Sequence, residues 1–294
     1  MMAQSLPEGA AEVIDLWPEG APDGFVNDRD EAIFANPDPR VPERWIRNVT
    51  RARITRFPAQ GAGRGLSMLV VPGGAFHFVS IDNEGHDVAR ALAARGIEAF
   101  VLTYRVWPMP AADKDIPEFM LELGRRLERA VPGQVTPPGG SAEVAGGRDL
   151  AEADGRQAMR VIRARAAGWG IDPARLGVMG FSAGGGVAVD LALAAPGECR
   201  PAVAVPVYPA WRGAPAPVVP GDCPPMCFIA AADDEIVAPF STAALAQVVH
   251  AAGGRVACHV YGNGGHGFGI RRQGNLSDRW FGDVMDWLDV VMPG

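Results

Sequence analysis

The chain has 294 residues, of which 48% are hydrophobic, so it can bury a large core and fits a single α/β domain, 1–294, with an insertion. Its net charge of −7 at pH 7 argues against nucleic acid or an anionic membrane as a partner, because neither is attracted to an acidic surface. No apolar run reaches the length of a membrane span, and the first residues lack the apolar core of a signal peptide. We therefore expect a cytoplasmic protein, or a periplasmic or secreted one if a signal peptide has been removed.

The cysteines, at positions 199, 223, 227 and 258, are too few and too scattered for a disulfide scaffold. Cys223 and Cys227 have neither the two-residue spacing of a redox pair nor a second pair to complete a zinc site. We expect buried thiols, with a bridge between Cys223 and Cys227 as the alternative, and neither a metal nor a cofactor.

The first 42 residues are rich in Pro, Gly, Asp and Glu, with one compact apolar cluster at 13–17, which predicts an arm lying across the domain. Regular structure is expected to begin with an edge strand over 48–57. A buried strand over 65–71 follows and runs into the sequence PGGAFH at 72–77.

The glycine pair in this loop allows the backbone to approach a ligand closely. The N–H of Gly74 or Ala75 is therefore a candidate donor to an oxyanion, and Phe76 and His77 are candidate contacts to a substrate. A plain turn is the alternative interpretation.

A helix over 83–95 is predicted next, with Asp82 as its N-cap and Gly96 as its C-terminal stop. A strand over 99–104 returns to the sheet. Because strand, helix and strand form a right-handed crossover, the strands on either side of this helix are predicted to be parallel.

Residues 106–147 interrupt the alternation, since they contain one amphipathic helix, at 116–131, and no strand. An insertion of this length after a strand is usually a lid over the substrate face, and Trp107 is a candidate contact there. The alternative is a peripheral decoration without contact to substrate. A long helix over 149–169 then leads to the next strand.

The sequence RLGVMGFSAGGG at 175–186 indicates a short apolar strand that turns directly into a helix at 185–194. Gly180 and Gly184 stand two residues before and after Ser182, as a sharp strand-to-helix turn requires. Such a turn exposes the serine hydroxyl and leaves the N–H of Ala183 free to face an oxyanion. The alternative is a glycine-lined turn that only packs a helix against the sheet.

The remaining chain continues to alternate, with strands over 202–207, 226–231 and 256–261 and helices over 239–250 and 277–291. This pattern predicts a doubly wound, mostly parallel sheet of about eight strands flanked by helices. In such a sheet ligands gather at the carboxyl ends of the strands, where Ser182, Asp233, Asp234 and His266 are all expected.

A serine hydroxyl becomes a nucleophile when a base takes its proton and a carboxylate orients that base. Of the five histidines, only His266 lies in a glycine-rich loop just after the last strand, so we assign it as the base. Asp234 is the expected carboxylate, because it stands a few residues past its strand, with Val237 to anchor the loop. Asp233 remains the alternative.

Four segments carry a resemblance to a known family: PGGAFHFVSIDNEG, FVLTYRV, ARAAGWGIDPARLGVMGFSAGG and GNGGHGFG. They look like the corresponding segments of the bacterial acetyl esterases and acetyl xylan esterases of the α/β-hydrolase superfamily, which are related to dienelactone hydrolases. The likeness extends from about residue 17 to the C-terminus, except for 106–147. It implies the α/β-hydrolase fold, in which the catalytic residues follow in the order Ser, Asp, His.

The resemblance also implies roles for individual residues. Ser182, Asp234 and His266 would form the catalytic triad, and Gly74, Ala75 and Ala183 the oxyanion hole. The chain departs from its relatives where Ala75 and Phe76 replace a common glycine and tyrosine, and where Gly186 replaces a common histidine. The first departure changes the pocket floor and the insertion changes its roof, whereas neither departure touches the triad.

The resemblance implies a cofactor-free carboxylesterase that acts through an acyl-enzyme. The expected substrate is a short-chain, chiefly acetyl, ester of a hydroxylated compound such as a xylo-oligosaccharide, with Trp107 and Trp211 as candidate platforms for a sugar ring. A peptidase or amidase, or a feruloyl esterase, on the same scaffold is the alternative. A non-catalytic binding protein is disfavoured, because a complete triad has no purpose there.

Overall fold

The computed structural model describes residues 6–36, 42–127, 142–197, 199–211 and 217–294. The strands within these ranges are β1 (Glu12–Asp15), β2 (Ala32–Ala35), β3 (Arg44–Arg47), β4 (Arg53–Phe57), β5 (Ser67–Val71), β6 (Phe78–Ser80), β7 (Glu98–Thr103), β8 (Leu176–Phe181), β9 (Ala204–Val207), β10 (Met226–Ala231) and β11 (Val256–Tyr261). The α-helices are α1 (Asp87–Ala94), α2 (Ile116–Leu127), α3 (Ala142–Trp169), α4 (Ala183–Leu193), α5 (Pro239–Ala251) and α6 (Trp280–Val291).

The main sheet has the strand order β1-β4-β7-β5-β8-β9-β10-β11 among the described residues, which confirms the predicted sheet of about eight strands. The six strands from β7 to β11 in this order are parallel, β4 runs antiparallel to β7, and β1 runs antiparallel to β4. Strands β5, β7, β8, β9 and β10 are buried along their whole length, as expected of apolar strands with helices on both faces. Their carboxyl ends meet at one edge of the sheet.

The prediction of an edge strand over 48–57 is wrong in its position and its start. The strand at this place, β4, lies inside the sheet, and β1 from the N-terminal arm forms the edge by pairing Ile14 with Ile54 in an antiparallel register. The arm is therefore part of the sheet at this point rather than a segment laid across it.

A second sheet, of β2, β3 and β6 among the described residues, was not predicted. Its antiparallel register places Trp45 opposite Ser80. The ring of Trp45 stacks on Phe78 with centroids 4.6 Å apart, and Phe34 meets both rings edge-on. The three rings lie on the three strands of the small sheet and hold it together, and they pack in one cluster with Ile116 and Leu123 of α2.

The predicted start of the helix over 83–95 is also wrong. The chain first forms a π-helical turn, Asp82–His86, and α1 follows it. Asp82 does not cap a helix, because its carboxylate accepts hydrogen bonds from the backbone N–H and the guanidinium of Arg44 instead. Gly96 ends the helix as predicted, with φ at +74°.

The inserted segment 106–147 is described only in part. Helix α2 begins at the predicted residue, but positions 128–141 and the predicted helix end at 131 lie outside the described residues. Helix α3 begins at Ala142 rather than at 149, so the last described part of the segment belongs to the helix that follows. That the segment is a lid stays a prediction.

All four cysteines are free thiols, so the alternative of a bridge between Cys223 and Cys227 is wrong. Within the described ranges, every helix is too short or too polar to cross a bilayer.

A buried ion pair joins the end of β7 to α3. Arg105 donates to Asp154 from its backbone N–H, at 2.8 Å, and from Nη2, also at 2.8 Å. The indole N–H of Trp17 donates to the same carboxylate at 2.7 Å, and Asp23 lies 2.7 Å from Nη1 of Arg105. Asp154 is completely buried, so its charge is stabilised only by these donors. One pair therefore holds the N-terminal arm, β7 and α3 together.

Replacing Asp154 with Ala should lower the free energy of unfolding by about 3–5 kcal/mol, because the Arg105 charge is then left with a weaker set of partners. Urea denaturation at pH 7.5 measures this difference. The matched control is Glu152→Ala on the same helix, which removes a surface pair with Arg156 and should cost less than about 1 kcal/mol. Equal losses for the two variants would contradict the analysis.

Candidate active site

Ser182 occupies a strained turn between β8 and α4. Its φ is +50° and its ψ −115°, outside the regions that residues with a side chain usually adopt. A side chain at Gly180 would bring Cβ within 2.1 Å of the Gly184 carbonyl oxygen, and one at Gly184 would lie 2.1 Å from the Val71 oxygen. Helix α4 begins at Ala183, directly after the serine and two residues earlier than predicted. The turn therefore has the geometry of a nucleophile elbow.

The structure brings Ser182, His266 and Asp234 together. The Oγ of Ser182 lies 2.9 Å from Nε2 of His266, and Nδ1 of His266 lies 2.9 Å from Oδ2 of Asp234. Because an ionised carboxylate can only accept, His266 carries a proton on Nδ1 and leaves Nε2 free to accept from the serine hydroxyl. The arrangement can remove a proton from Ser182 and stabilise the imidazolium that results.

Two backbone N–H groups aim the Asp234 carboxylate at the imidazole. Oδ1 of Asp234 accepts from Ile236 at 2.9 Å and from Val237 at 2.8 Å, and the side chain is almost completely buried. Asp233 points elsewhere, since its carboxylate accepts the N–H of Gly265 at 2.8 Å in an exposed position. This bond holds the pKa of Asp233 below its ordinary value. Of the two carboxylates, only Asp234 contacts His266.

Gly74, Ala75 and Ala183 line the same pocket as Ser182. Ala75 and Phe76 have φ values of +52° and +63°, so this loop also stores backbone strain at the site. The carbonyl of Gly74 accepts the N–H groups of His77 and Phe78, which holds the loop in this shape. Ala183 is the first residue of α4, and N–H groups in a first helical turn have no partner within the helix. That these three residues stabilise an oxyanion stays a prediction.

The predicted substrate contacts separate into two groups. Phe76 and Trp211 line the pocket, and the guanidinium of Arg148 lies 5.3 Å over the Trp211 ring. His77 and Trp107 are not among the residues that line it. His77 is buried edge-on against Phe119, and Trp107 packs against Gly146, so the structure places both side chains in the protein interior or against the insertion.

Sequence reasoning missed most of the pocket wall. The cavity has a volume of about 450 Å³. Its additional lining comes from the second sheet and its flanks, from α2, and from the segment after His266, and includes Asn36, Glu43, Trp45, Phe78, Ser80, Met120, Leu123, Arg271 and Gln273. The amphipathic pattern of α2 was the signal for Met120 and Leu123, and Phe78 and Ser80 lie in the family-like segment at 72–85. The other residues stand in no recognisable motif.

Glu43 is a buried acidic residue that directly precedes β3 of the second sheet. Its carboxylate accepts the hydroxyl of Ser80, and it is 8% exposed. Burial raises the pKa of Glu43 above its ordinary value, and the bond from Ser80 opposes that shift.

The described residues include no group of three or more His, Cys, Asp or Glu side chains able to hold a metal ion.

The strand order and the turn at Ser182 define the α/β-hydrolase fold. Residues 148–287, which include Ser182, Asp234 and His266, match the model of the dienelactone hydrolase family. An acetylxylan esterase from Xylanibacter ruminicola is 26% identical over 273 residues, which cover 82% of this chain and 48% of that protein. This chain thus spans about half the length of that relative.

Solved structures share the fold at lower identity. An acetyl ester-xyloside bifunctional hydrolase from Caldicellulosiruptor lactoaceticus superposes with a TM-score of 0.64 at 21% identity, covering 97% of each chain. Esterase 2 from Thermogutta terrifontis gives a TM-score of 0.58 at 19% identity, covering 90% of this chain and 94% of that one. The chain therefore has the α/β-hydrolase fold, and the expected resemblance to acetyl xylan esterases and dienelactone hydrolases is confirmed.

Replacing Asp234 with Asn should slow the reaction of Ser182 with a fluorophosphonate by about 10³–10⁴-fold, because the amide favours the wrong tautomer of His266. Active-site labelling followed over time measures the rate. Asp233→Asn is the matched control and should react within about twofold of the unchanged protein, since Asp233 does not contact the imidazole. A larger loss in the Asp233 variant would reverse the assignment.

Proposed function

We propose that this protein is a carboxylic ester hydrolase that removes short acyl groups, chiefly acetyl, from hydroxylated compounds such as xylo-oligosaccharides. The observation that carries the proposal is the continuous chain of contacts from Ser182 through His266 to Asp234 on the wall of one large pocket. Three side chains from separate loops meet in the order and geometry that acyl transfer needs.

In the proposed reaction His266 takes the proton of Ser182 as the serine oxygen attacks the ester carbonyl. The N–H groups of Ala183 and of Gly74 or Ala75 stabilise the oxyanion of the tetrahedral intermediate. His266 then gives the proton to the leaving alcohol, and an acyl-enzyme remains on Ser182. Water repeats the sequence on the acyl-enzyme and releases the acid.

The chemistry of the pocket lining supports a hydroxylated alcohol. Phe76, Ile236 and Val237 give it an apolar face, and Trp211 offers a ring surface. Glu43, Asn36, Arg271 and Gln273 supply donors and acceptors on another part of the lining, beside the ring of Trp45. Polar groups beside aromatic rings suit a sugar, whose hydroxyls need partners and whose ring faces are apolar.

The relatives support the same chemistry, since those compared include an acetylxylan esterase and an acetyl ester-xyloside hydrolase. The acetyl group is taken from these relatives, whereas the hydroxylated alcohol is supported by the pocket wall as well. A side-by-side assay on acetylated xylan, feruloyl esters, short p-nitrophenyl esters and a peptide amide distinguishes the proposal from the feruloyl esterase and peptidase alternatives.

Replacing Ser182 with Ala should lower kcat for p-nitrophenyl acetate by about 10⁴–10⁶-fold, because the nucleophile is lost while the fold remains. Steady-state kinetics measures the loss, and circular dichroism with thermal unfolding verifies that the variant is folded. Turnover near that of the unchanged protein would refute the proposal.

Replacing Arg271 with Ala should raise KM for acetylated xylo-oligosaccharides by about tenfold, because a hydrogen bond from a charged donor to the sugar is lost. The same variant should keep kcat/KM for p-nitrophenyl acetate, whose alcohol does not need that donor. Arg272→Ala is the matched control, since Arg272 is the adjacent arginine and does not line this pocket. A parallel fall on both substrates would assign Arg271 to general stability instead.

A further inference from the structure

A buried carboxylate lies between the two loops that meet at Ser182. Glu84 belongs to the π-helical turn Asp82–His86, lines the pocket and is 4% exposed. Its Oε2 accepts the N–H of Gly73 at 2.8 Å, and its Oε1 accepts the hydroxyl of Tyr208 at 2.7 Å. The proposed reaction does not use Glu84.

The first contact reaches the oxyanion loop. Gly73 directly precedes Gly74, and its carbonyl accepts the N–H of Ser80 at 3.0 Å. A side chain at Gly73 would collide with both Oε2 of Glu84 and Cβ of Ser182, so Glu84, Gly73 and Ser182 are packed in direct contact. The carboxylate thus fixes the backbone at the entrance to the loop.

The second contact reaches the loop that carries His266. The hydroxyl of Tyr208 accepts the N–H of Gly269 at 3.0 Å, and the Tyr208 ring lies 5.0 Å from the imidazole. The neighbouring Asn83 adds to this link, because its side chain bonds to the backbone of residues 267, 268, 270 and 271. The π-helical turn is therefore hydrogen-bonded to the loop that carries His266.

We propose that Glu84 is a positioning residue of the site: its carboxylate ties the oxyanion loop to the His266 loop, and its negative charge favours the protonated imidazole. The inference rests on the proposed esterase function. The N–H of Gly73 can only donate, and the Tyr208 hydroxyl, which accepts from Gly269, must direct its own proton to Glu84. An ionised carboxylate accepts both bonds strongly, whereas a protonated carboxyl keeps only one strong acceptor, its carbonyl oxygen, and carries a proton that needs an acceptor of its own.

The ionisable groups that face Glu84 come from four other parts of the chain. They are Glu43 before β3, Tyr104 after β7, Tyr208 after β9 and His266 after β11. Burial, followed by the charge of Glu43, raises the pKa of Glu84 to about 7, while His266 acts in the opposite direction. Burial also raises the pKa of both tyrosines, so they stay neutral. The ionisation of Glu84 can therefore be followed at ordinary pH.

The test is Glu84→Gln, which keeps the size of the side chain and an oxygen for Gly73 but carries no charge. At pH 8.5 the rate of fluorophosphonate labelling and kcat for p-nitrophenyl acetate should fall on the order of 10–100-fold, with KM unchanged. The ratio of the unchanged protein to the variant should approach one at pH 5.5, because Glu84 is then protonated.

Glu98→Gln is the matched control. Glu98 is a buried glutamate on β7 that likewise accepts one side-chain donor, Arg56, and one backbone N–H, that of Ala59. Its kinetics should follow those of the unchanged protein at every pH, even if its melting temperature falls. A ratio near one at pH 8.5, or a reduced rate that does not vary with pH, would overturn the proposed role of Glu84.

Tyr208→Phe provides a second variant that keeps the carboxylate and cuts its link to Gly269. Its kcat should fall while the pH dependence assigned to Glu84 remains, so the proposal can still be rejected if the glutamine variant does not fold. In that case, rates equal to those of the unchanged protein would overturn it. An unchanged protein that is labelled at Ser182 but hydrolyses no ester would reject the proposed function, and the labelling ratio would still decide the role of Glu84.

Discussion

The site depends on one hydrogen bond, between Oγ of Ser182 and Nε2 of His266, whose residues are 84 positions apart in the chain. The bond can form only because both residues follow strands of one parallel sheet and leave it at the same edge. The register between β10 and β11, which pairs Ala231 with Tyr261, sets the height at which the Asp234 and His266 loops emerge. A slip of one residue would turn these side chains away from each other. The buried sheet is therefore the precondition for the arrangement at Ser182.

This dependence explains what the sequence could predict. The strands β10 and β11 were predicted with their observed bounds, because mostly apolar runs bounded by turn residues mark strands locally, both the buried β10 and the partly exposed edge strand β11. Ser182, Asp234 and His266 were selected in the same way, since each follows such a run, and the structure brings their side chains together. The edge strand was assigned wrongly because the pairing of Ile14 with Ile54 joins distant segments and leaves no local trace. The prediction of Asp82 as an N-cap was wrong for a similar reason, because its carboxylate binds Arg44, which is distant in the sequence.

The sequence predicted little of the pocket wall. Two strands of its second sheet, β2 and β3, come from residues 32–47, where Glu43 and Trp45 stand among prolines and charged residues without a motif. Only the third strand, β6, lies in a family-like segment. His77 and Trp107, which are closer to the recognisable segments, are instead used for packing. The motifs therefore describe the proposed bond-breaking machinery, whereas the wall that would meet the alcohol is built by a part of the chain that pattern reading does not reach. This separation is why fold and chemistry are better defined than the natural substrate.

The ionised Glu84 carboxylate lowers the stability of the folded protein, which indicates that its presence serves a purpose other than stability. Folding raises the pKa of this carboxyl from an ordinary value of 4.5 to about 7, so the protonated form is favoured in the folded chain. Its contribution to stability is complete below the unfolded pKa and is lost as the pH rises through the folded one. At pH 8 the protein thus holds a buried charge at the expense of stability, with Gly73 and Tyr208 as its donors. A glutamine of the same shape would not lower the stability in this way. A role for the charge beside His266 therefore accounts for the glutamate better than packing does.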